Sequence, residues 1–282
     1  MNQIKIEVAD TCFSLNLQHP IAEERLLSHY KDFLSHKFPQ ICINVKFVSK
    51  ITKSEKDFGS LIYQTKIWRL YRNGQEWFLF FLGGSLAQFS IPPKDVEFLA
   101  EGPKEWQHLF YILPEFILTA FLSQGRGVVF HSSGVAEDDK GYLFLAPGGG
   151  GKSTIAKLRG ERTLLNDDRI IVRKDRKGFR MYGNPWHGEV RITSRQSTNL
   201  NKVFFLKKER KNVIILLSKV DALKRLLKNG FMPFWGDDST KYTLQFCAEI
   251  VESVPCFELG FLPDESIWTF IEDYEMATKK IN

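Results

Sequence analysis

The sequence predicts an α/β fold, α+β overall, with a mixed sheet and a smaller α+β domain at the N-terminus. Three observations predict it: alternating apolar and polar runs near the N-terminus, an Asn-Gly turn between two aromatic-rich runs, and an apolar strand that enters a glycine-rich loop. The 282 residues, 43% of them apolar, suffice for one large core or two modest ones. We expect an N-terminal domain over residues 1–100 and a larger domain over residues 101–282.

The first hundred residues have the pattern of antiparallel strands with one helix. Half-buried strands are predicted at residues 4–8, 13–17 and 41–48, and a helix at residues 23–36. The runs 61–71 and 77–82 flank Arg72-Asn73-Gly74, a strong signal for a tight hairpin turn. This small domain is expected to recognise a substrate or partner.

The larger domain alternates strands and helices. A helix is predicted over residues 104–123, interrupted at Pro114, and Asp221 is predicted to cap a later helix. The pair Asp237-Asp238 is predicted to lie in an exposed turn. The other predicted elements are strands at 128–131, 142–145, 162–165, 170–173, 179–182, 203–206, 213–217 and 256–260, and helices at 153–159, at 221–228 and after 262.

The composition and charge of the sequence favour some classes of ligand and argue against others. The net charge of +6 suits an anionic ligand such as a nucleotide, but no stripe of basic residues with interleaved aromatics predicts nucleic-acid binding. The four cysteines are far apart and form no C-x-x-C pair, as expected for reduced thiols in a cytoplasmic protein. The most apolar stretch, residues 109–122, is too short to span a membrane, and no membrane partner is expected.

Residues 146–153, Ala-Pro-Gly-Gly-Gly-Gly-Lys-Ser, follow the phosphate-binding pattern G-x-x-x-x-G-K-[ST], with Ala146 at the first glycine. Glycines let successive N–H groups point at phosphate oxygens, and the helix that follows adds its positive end. Lys152 is predicted to reach the β- and γ-phosphates, and Ser153 to bind Mg²⁺. The predicted nucleotide-binding residues are Ala146, Pro147, Gly148, Gly149, Gly150, Gly151, Lys152, Ser153 and Thr154.

Three further side chains are candidates for chemistry close to this loop. Asp167 and Asp168 end an apolar segment soon after the loop helix, where one carboxylate can face a metal and the other an attacking hydroxyl as general base. The alternative is a surface turn or a helix cap. His131 ends the strand before the hairpin that feeds the loop, where it can contact the γ-phosphate or polarise an aspartate. The alternative is a structural histidine.

The segment from Gly183 to Arg191 places Trp and His between Pro and Gly, which indicates a rigid turn with polar side chains. His187, Glu189 and Arg191 are candidates for substrate or phosphate contacts. The alternative is a structural turn in which Trp186 packs inward.

Together these features resemble the HPr kinase/phosphorylase family, whose catalytic domain is similar in fold to phosphoenolpyruvate carboxykinases. The resemblance rests on His131, on the loop from Ala146 to Thr154, and on Asn166-Asp167-Asp168-Arg169. Only fourteen residues separate Ser153 from Asp167, whereas most P-loop GTPases and motor ATPases place this aspartate much farther along.

The resemblance implies a P-loop kinase core in which the loop, with Lys152, binds ATP and in which Mg²⁺ lies on Ser153 and Asp168. It implies Asp167 as the base for a serine hydroxyl, with His131 beside it. The turn at residues 184–189 is similar to HPr-kinase-related proteins, some of which phosphorylate a serine of a precursor peptide. The implied activity is therefore an ATP- and Mg²⁺-dependent serine kinase acting on a peptide or protein. The implied assembly is a homo-oligomer.

Three other functions are compatible with the same residues. A kinase for a small hydroxyl-bearing molecule would have a closed polar pocket near His131 and Trp186. A carboxykinase-like lyase would need several arginines, for which Arg169, Arg173 and Arg191 are the candidates. A nucleotide-responsive binding protein would bind nucleotide without transferring phosphate.

Overall fold

The computed structural model describes residues 2–17, 19–102, 105–233 and 235–279, and it divides into two compact units. Unit 1 comprises Met1–Arg126 and Pro233–Thr240, and unit 2 comprises Gly127–Met232 and Lys241–Asn282. Each unit contains a large mixed sheet, and the described chain has six α-helices, so the architecture is mixed α+β. Residues 101–126, which the sequence assigned to the second domain, belong to unit 1.

Unit 1 is built on an eight-stranded sheet with the order β1-β2-β3-β8-β7-β6-β5-β4. Its strands are β1 (Asn2–Val8), β2 (Thr11–Leu17), β3 (Ile41–Val48), β4 (Ser60–Gln64), β5 (Trp68–Asn73), β6 (Glu76–Phe81), β7 (Ser85–Ser90) and β8 (Asp95–Glu101). Its helices are α1 (Pro20–His29) and α2 (Ile112–Leu122), with 3₁₀ turns at Lys31–Phe33, Glu55–Phe58 and Glu105–Leu109.

The first three predicted strands and the hairpin are confirmed. Asn73 pairs with Glu76 across a two-residue turn in which Gly74 has a φ of 60°. The predicted run 61–71 divides into β4 and β5, and β7 and β8 were not predicted. The helix predicted over 23–36 begins at Pro20 and ends at His29, with a 3₁₀ turn after it. The first residue of the helix predicted over 104–123 lies outside the described residues, and its second half is α2.

The short segment Pro233–Thr240 returns to unit 1 late in the chain. Trp235 is buried there, and its Nε1–H donates a hydrogen bond of 2.7 Å to Ser123 Oγ. Its ring centroid lies 5.4 Å from that of Phe116. The late segment of unit 1 therefore packs against residues from the earlier part of the same unit.

The sheet of unit 2 has the order β10-β9-β12-β13-β14-β16-β15, and β11 also pairs with β9. A further parallel pairing of β10 with β14 closes five of these strands into a ring. The strands are β9 (Val128–Glu137), β10 (Lys140–Leu145), β11 (Thr163–Asn166), β12 (Arg169–Asp175), β13 (Gly178–Tyr182), β14 (Ser197–Lys208), β15 (Val213–Leu216) and β16 (Cys256–Phe261). The helices are α3 (Lys152–Lys157), α4 (Lys219–Asn229), α5 (Asp237–Ser253), whose first turn belongs to unit 1, and α6 (Ser266–Lys279).

Two local predictions in the second half of the chain are wrong. Ser218, not Asp221, caps α4, because the Ser218 hydroxyl accepts a hydrogen bond of 3.2 Å from the Asp221 N–H. Asp237 and Asp238 do not lie in an exposed turn but form the first turn of α5. Carboxylates are favourable there because the first turn of a helix carries a partial positive charge.

The four cysteines are free thiols, as predicted, and three of them are buried. Burial raises the pKa of Cys247 and of Cys256 to about 12 in each case.

Within the ranges that the structure describes, no helix is long and apolar enough to cross a membrane.

Candidate functional site

Strand β9 brings the predicted site residues together, because three other strands begin or end opposite its middle residues. The end of β10 lies opposite Ser132, the start of β12 opposite His131, and the end of β11 opposite Gly134. The glycine loop follows β10 directly, and the aspartate pair connects β11 to β12. The pairing of three separate strands with β9 therefore assembles one site from segments that are distant in sequence.

The loop is too tightly curled for side chains at two of its glycines. A Cβ atom at Gly150 would lie 2.6 Å from the Ala146 Cβ, and one at Gly151 would lie 2.7 Å from the Phe261 ring. Gly151 also has a φ of 106°, which L-residues with side chains rarely adopt. Ala146 fits at the strand-to-loop bend because its methyl group is small and faces a glycine.

Helix α3 begins at Lys152 and has only six residues, so it is shorter than the predicted segment 153–159. A helix of this length has only a small dipole. An anion in this loop would be held mainly by the loop N–H groups and by the Lys152 ammonium.

Lys152 is a buried cation. Its Nζ donates hydrogen bonds to two neutral carbonyl oxygens, those of Ala146 at 2.7 Å and Pro147 at 3.3 Å. Burial lowers the pKa of Lys152, and the nearby Asp168 opposes this shift. No carboxylate in the described part of the chain lies within ion-pair distance of this Nζ. Because a buried charge without a counter-charge is costly, the loop is suited to an anionic ligand.

A cavity of about 420 Å³ opens between the loop and the aspartate pair. It is lined by His131, Gly148, Gly149, Gly150, Gly151, Lys152, Ser153, Thr154, Asp167, Asp168, Gly188 and Glu189. All but Gly188 are residues that the sequence predicted for the site. The predicted residues Ala146, Pro147, His187 and Arg191 do not line it.

The two aspartates differ in their surroundings. Asp167 is only 2% exposed, and its two oxygens accept hydrogen bonds from the N–H groups of Gly188, at 2.8 Å, and Val190, at 2.9 Å. Asp168 has a side chain that is 26% exposed. One of its oxygens lies 3.7 Å from His131 Nε2, and the other accepts a hydrogen bond from the Arg169 guanidinium.

His131 is half-exposed at the edge of the cavity. Burial and the positive charge of Lys152 lower its pKa, while Asp168 opposes this shift. The lowered pKa favours the neutral imidazole, whose Nε2 is too far from the Asp168 oxygen, at 3.7 Å, for a direct hydrogen bond.

The turn after β13 contributes its backbone more than its predicted side chains. His187 Nδ1 lies 3.0 Å from the Gly188 carbonyl oxygen, and the exposed Arg191 has an unusual φ of 55°. Of the three candidates from this turn, only Glu189 reaches the cavity. A Cβ atom at Gly188 would lie 2.8 Å from the Asp167 carboxylate, so glycine allows the turn to approach the aspartates. Trp186 packs inward and is 2% exposed.

Two buried asparagines, Asn166 and Asn184, hold both turns in place. The Asn166 side-chain oxygen accepts hydrogen bonds from the N–H groups of Asp168, at 2.8 Å, and Arg169, at 3.0 Å. Its amide group donates to the Trp186 carbonyl at 3.0 Å and to the Asn184 side-chain oxygen at 3.2 Å. The sequence did not predict this pair as site residues, since the two side chains are eighteen residues apart and meet only in the folded chain.

Asn184 completes the same network. Its amide group donates to the Arg169 carbonyl at 2.7 Å, and its oxygen accepts from the Trp186 N–H at 3.0 Å. Both asparagines are fully buried, so these hydrogen bonds cannot be replaced by water without rearrangement. They are positioning residues for the aspartate pair.

Replacing Asn184 with alanine is therefore expected to destabilise the chain. The change leaves the Trp186 N–H and the Arg169 carbonyl each without a buried partner and removes one partner of the Asn166 amide group, at a total cost of about 3 kcal/mol. Urea unfolding followed by circular dichroism measures this loss. Asn199→Ala, at an exposed position of β14, is the control and should stay within about 0.5 kcal/mol of the parent. Equal stability of the two variants would contradict the positioning role.

The donor set of the cavity suits Mg²⁺. In phosphate sites this ion keeps several waters and is held by one or two carboxylates together with phosphate oxygens. Ser153 and the aspartate pair line the same cavity and supply such oxygens. In the described ranges, no group of three or more His, Cys, Asp and Glu side chains forms a metal site of its own.

No model of a known protein family matches this chain, and no curated protein matches it.

Proposed function

We propose that this chain is an ATP- and Mg²⁺-dependent kinase with an HPr-kinase-like P-loop core, which transfers the γ-phosphate to a serine hydroxyl of a peptide or protein. One observation carries the proposal. A buried lysine with carbonyl partners closes a four-glycine loop and faces a cavity that is also lined by the carboxylates of an aspartate pair and by an imidazole. This is the combination that phosphoryl transfer requires: an anion cradle, metal ligands and a base.

On the donor side, the N–H groups of the loop and the Lys152 ammonium bind the β- and γ-phosphates. On binding, Lys152 exchanges its carbonyl partners for phosphate oxygens, so its buried charge gains a counter-charge. This gain is largest when negative charge develops on the transferring group, because the Lys152 ammonium is already in place before the reaction.

Ser153 and Asp167 are the proposed ligands of Mg²⁺, whereas the sequence predicts Ser153 and Asp168. Two backbone N–H groups fix the orientation of the Asp167 carboxylate, and each of its oxygens keeps a second lone pair. Metal-binding carboxylates are typically held by such outer hydrogen bonds. Bound Mg²⁺ would neutralise phosphate charge.

Asp168, in place of Asp167, is the proposed general base that accepts the proton of the serine hydroxyl. Asp167 is buried and is held by two backbone N–H groups, whereas Asp168 is more exposed and lies beside His131. The serine hydroxyl gives its proton to Asp168 as its oxygen bonds to the γ-phosphorus. The bond from that phosphorus to the bridging oxygen breaks, and ADP leaves.

Incubation of the protein with γ-labelled ATP, Mg²⁺ and a serine-containing peptide library tests the proposal. We expect label on serine and a stoichiometric amount of ADP. Label on small hydroxyl compounds alone would identify a small-molecule kinase, and tight nucleotide binding without transfer would identify a binding protein. A carboxykinase-like lyase finds no support in the cavity, since none of its lining residues is an arginine.

A further inference from the structure

Strand β4 is an open edge of the unit 1 sheet. It pairs with β5 on one side, and no other strand of the described chain pairs with its second side. All five of its residues are exposed, whereas most residues of β1, at the opposite edge of the sheet, are buried. An edge strand presents unpaired N–H and C=O groups that can template a further strand.

The side chains of β4 do not block this edge in the usual ways. The strand contains no charged residue and no proline, and Leu61 and Ile62 are 48% and 39% exposed. Ile67 and Leu82 extend the apolar surface, and a backbone hydrogen bond of 3.0 Å joins them. A bulge between Leu61 and Tyr63, together with the short length of β4, restricts any added strand to a few residues.

The chain on either side of this edge strand carries more basic than acidic residues. Residues 55–72 include four basic side chains and two acidic ones. The acidic side chains are both engaged within unit 1, Glu55 by an arginine and Asp57 by a backbone N–H. Lys56 and Lys66 stand before and after β4 in the chain, and neither forms an ion pair in the described ranges. A partner with acidic residues on both sides of a short apolar stretch complements this edge.

We propose that β4 binds an extended peptide segment by strand addition, and that this segment has a short apolar centre flanked by acidic residues. Main-chain hydrogen bonds to β4 supply affinity, and the exposed apolar and basic side chains supply selectivity. The inference rests on the proposed function in one respect: the segment belongs to the peptide or protein that carries the acceptor serine.

The probe is a fluorescent peptide with alternating valine and threonine in its centre and two glutamates at each end. Fluorescence anisotropy without nucleotide measures its binding, and amide hydrogen exchange locates it. We expect saturable binding and slowed exchange at residues 60–64. The same peptide with lysines in place of glutamates should bind about tenfold more weakly, the loss expected when attraction across the edge becomes repulsion. A peptide with proline in its centre should not slow exchange.

Ile62→Glu should weaken binding of the acidic probe about tenfold, because it places a charge opposite the apolar centre of the peptide and brings a negative charge near its glutamates. Ile62→Thr keeps the strand-forming tendency and serves as the second variant, with a smaller loss. Gln3→Glu adds the same charge at the opposite edge and is the matched control, with no loss expected.

Three results would overturn the proposal: unchanged exchange at β4, equal binding of the acidic and basic peptides, or protection of β4 by self-association in sedimentation experiments without peptide. The measurements use no nucleotide, so they are independent of phosphate transfer. A kinase without peptide binding at β4, or peptide binding without kinase activity, would separate the two proposals.

Discussion

Replacing Lys152 with alanine is expected to nearly abolish phosphate transfer while leaving the chain folded. Lys152 is the one buried ammonium that lines the described cavity, and its loss removes a preorganised donor to the transferring phosphate. Removing one such donor lowers turnover by about 10²–10³-fold. The folding cost is small, because the variant loses two hydrogen bonds to carbonyls but also loses a buried charge. Labelled-ATP turnover and urea unfolding measure the two effects.

Lys157→Ala is the matched control for this variant. Lys157 ends the same short helix but is exposed, so its removal changes net charge equally without touching the cavity. Turnover of the control should match the parent. Normal turnover in Lys152→Ala, or an equal loss in both variants, would contradict the assignment of the loop.

The two aspartates are expected to respond differently to the same substitution. Asp168→Asn should lower turnover by about 10²–10⁴-fold with little change in stability, because it removes the proposed base at a partly exposed position. Asp167→Asn should also lower turnover, but with a loss of about 2–3 kcal/mol in unfolding free energy. The reason is that the new amide group turns N–H donors toward the N–H of Gly188 or Val190.

Chemical denaturation and single-turnover kinetics on both variants separate these expectations. Asp139→Asn, in the exposed turn before β10, controls for the loss of one negative charge and should change neither quantity. If Asp168→Asn were the unstable variant and Asp167→Asn the stable one, the proposed division of roles would be wrong.

Short-range patterns predicted much of the fold. The alternation in β1 and β2, the Asn-Gly hairpin and the strand before the glycine loop are all properties of adjacent residues, and the structure contains each of them. Strand β8 also alternates, with Val96, Phe98 and Ala100 buried, although it was not predicted. The closing contact of β10 with β14 was not predictable, because strand pairing depends on tertiary packing across about sixty residues.

Helix α5 shows how a local signal misled the prediction. Asp-Asp-Ser-Thr is typical of a turn when considered alone, but the same residues are favourable in the first turn of a helix. The apolar residues that follow at four-residue intervals, Tyr242, Phe246 and Ile250, were the better guide, since they form the buried face of α5.

The residues of the candidate site also fall into two groups, those that a contiguous motif predicted and those that only the folded chain brings together. The glycine loop and the aspartate pair were visible because each is a contiguous motif. The asparagine pair was not visible, since Asn166 and Asn184 are eighteen residues apart and meet only after β12 and β13 have formed. Gly188 was equally obscure, because its importance comes from its closeness to a carboxylate in another turn.

The return of Pro233–Thr240 to unit 1 limits how the protein can be dissected. A shortened polypeptide that begins at Gly127 would retain Trp235 but lose Ser123 and Phe116, its hydrogen-bond and ring partners. An exposed tryptophan of this kind favours aggregation. Separating unit 2 for expression therefore calls for a polar replacement at Trp235, or for a split protein whose two halves are produced together.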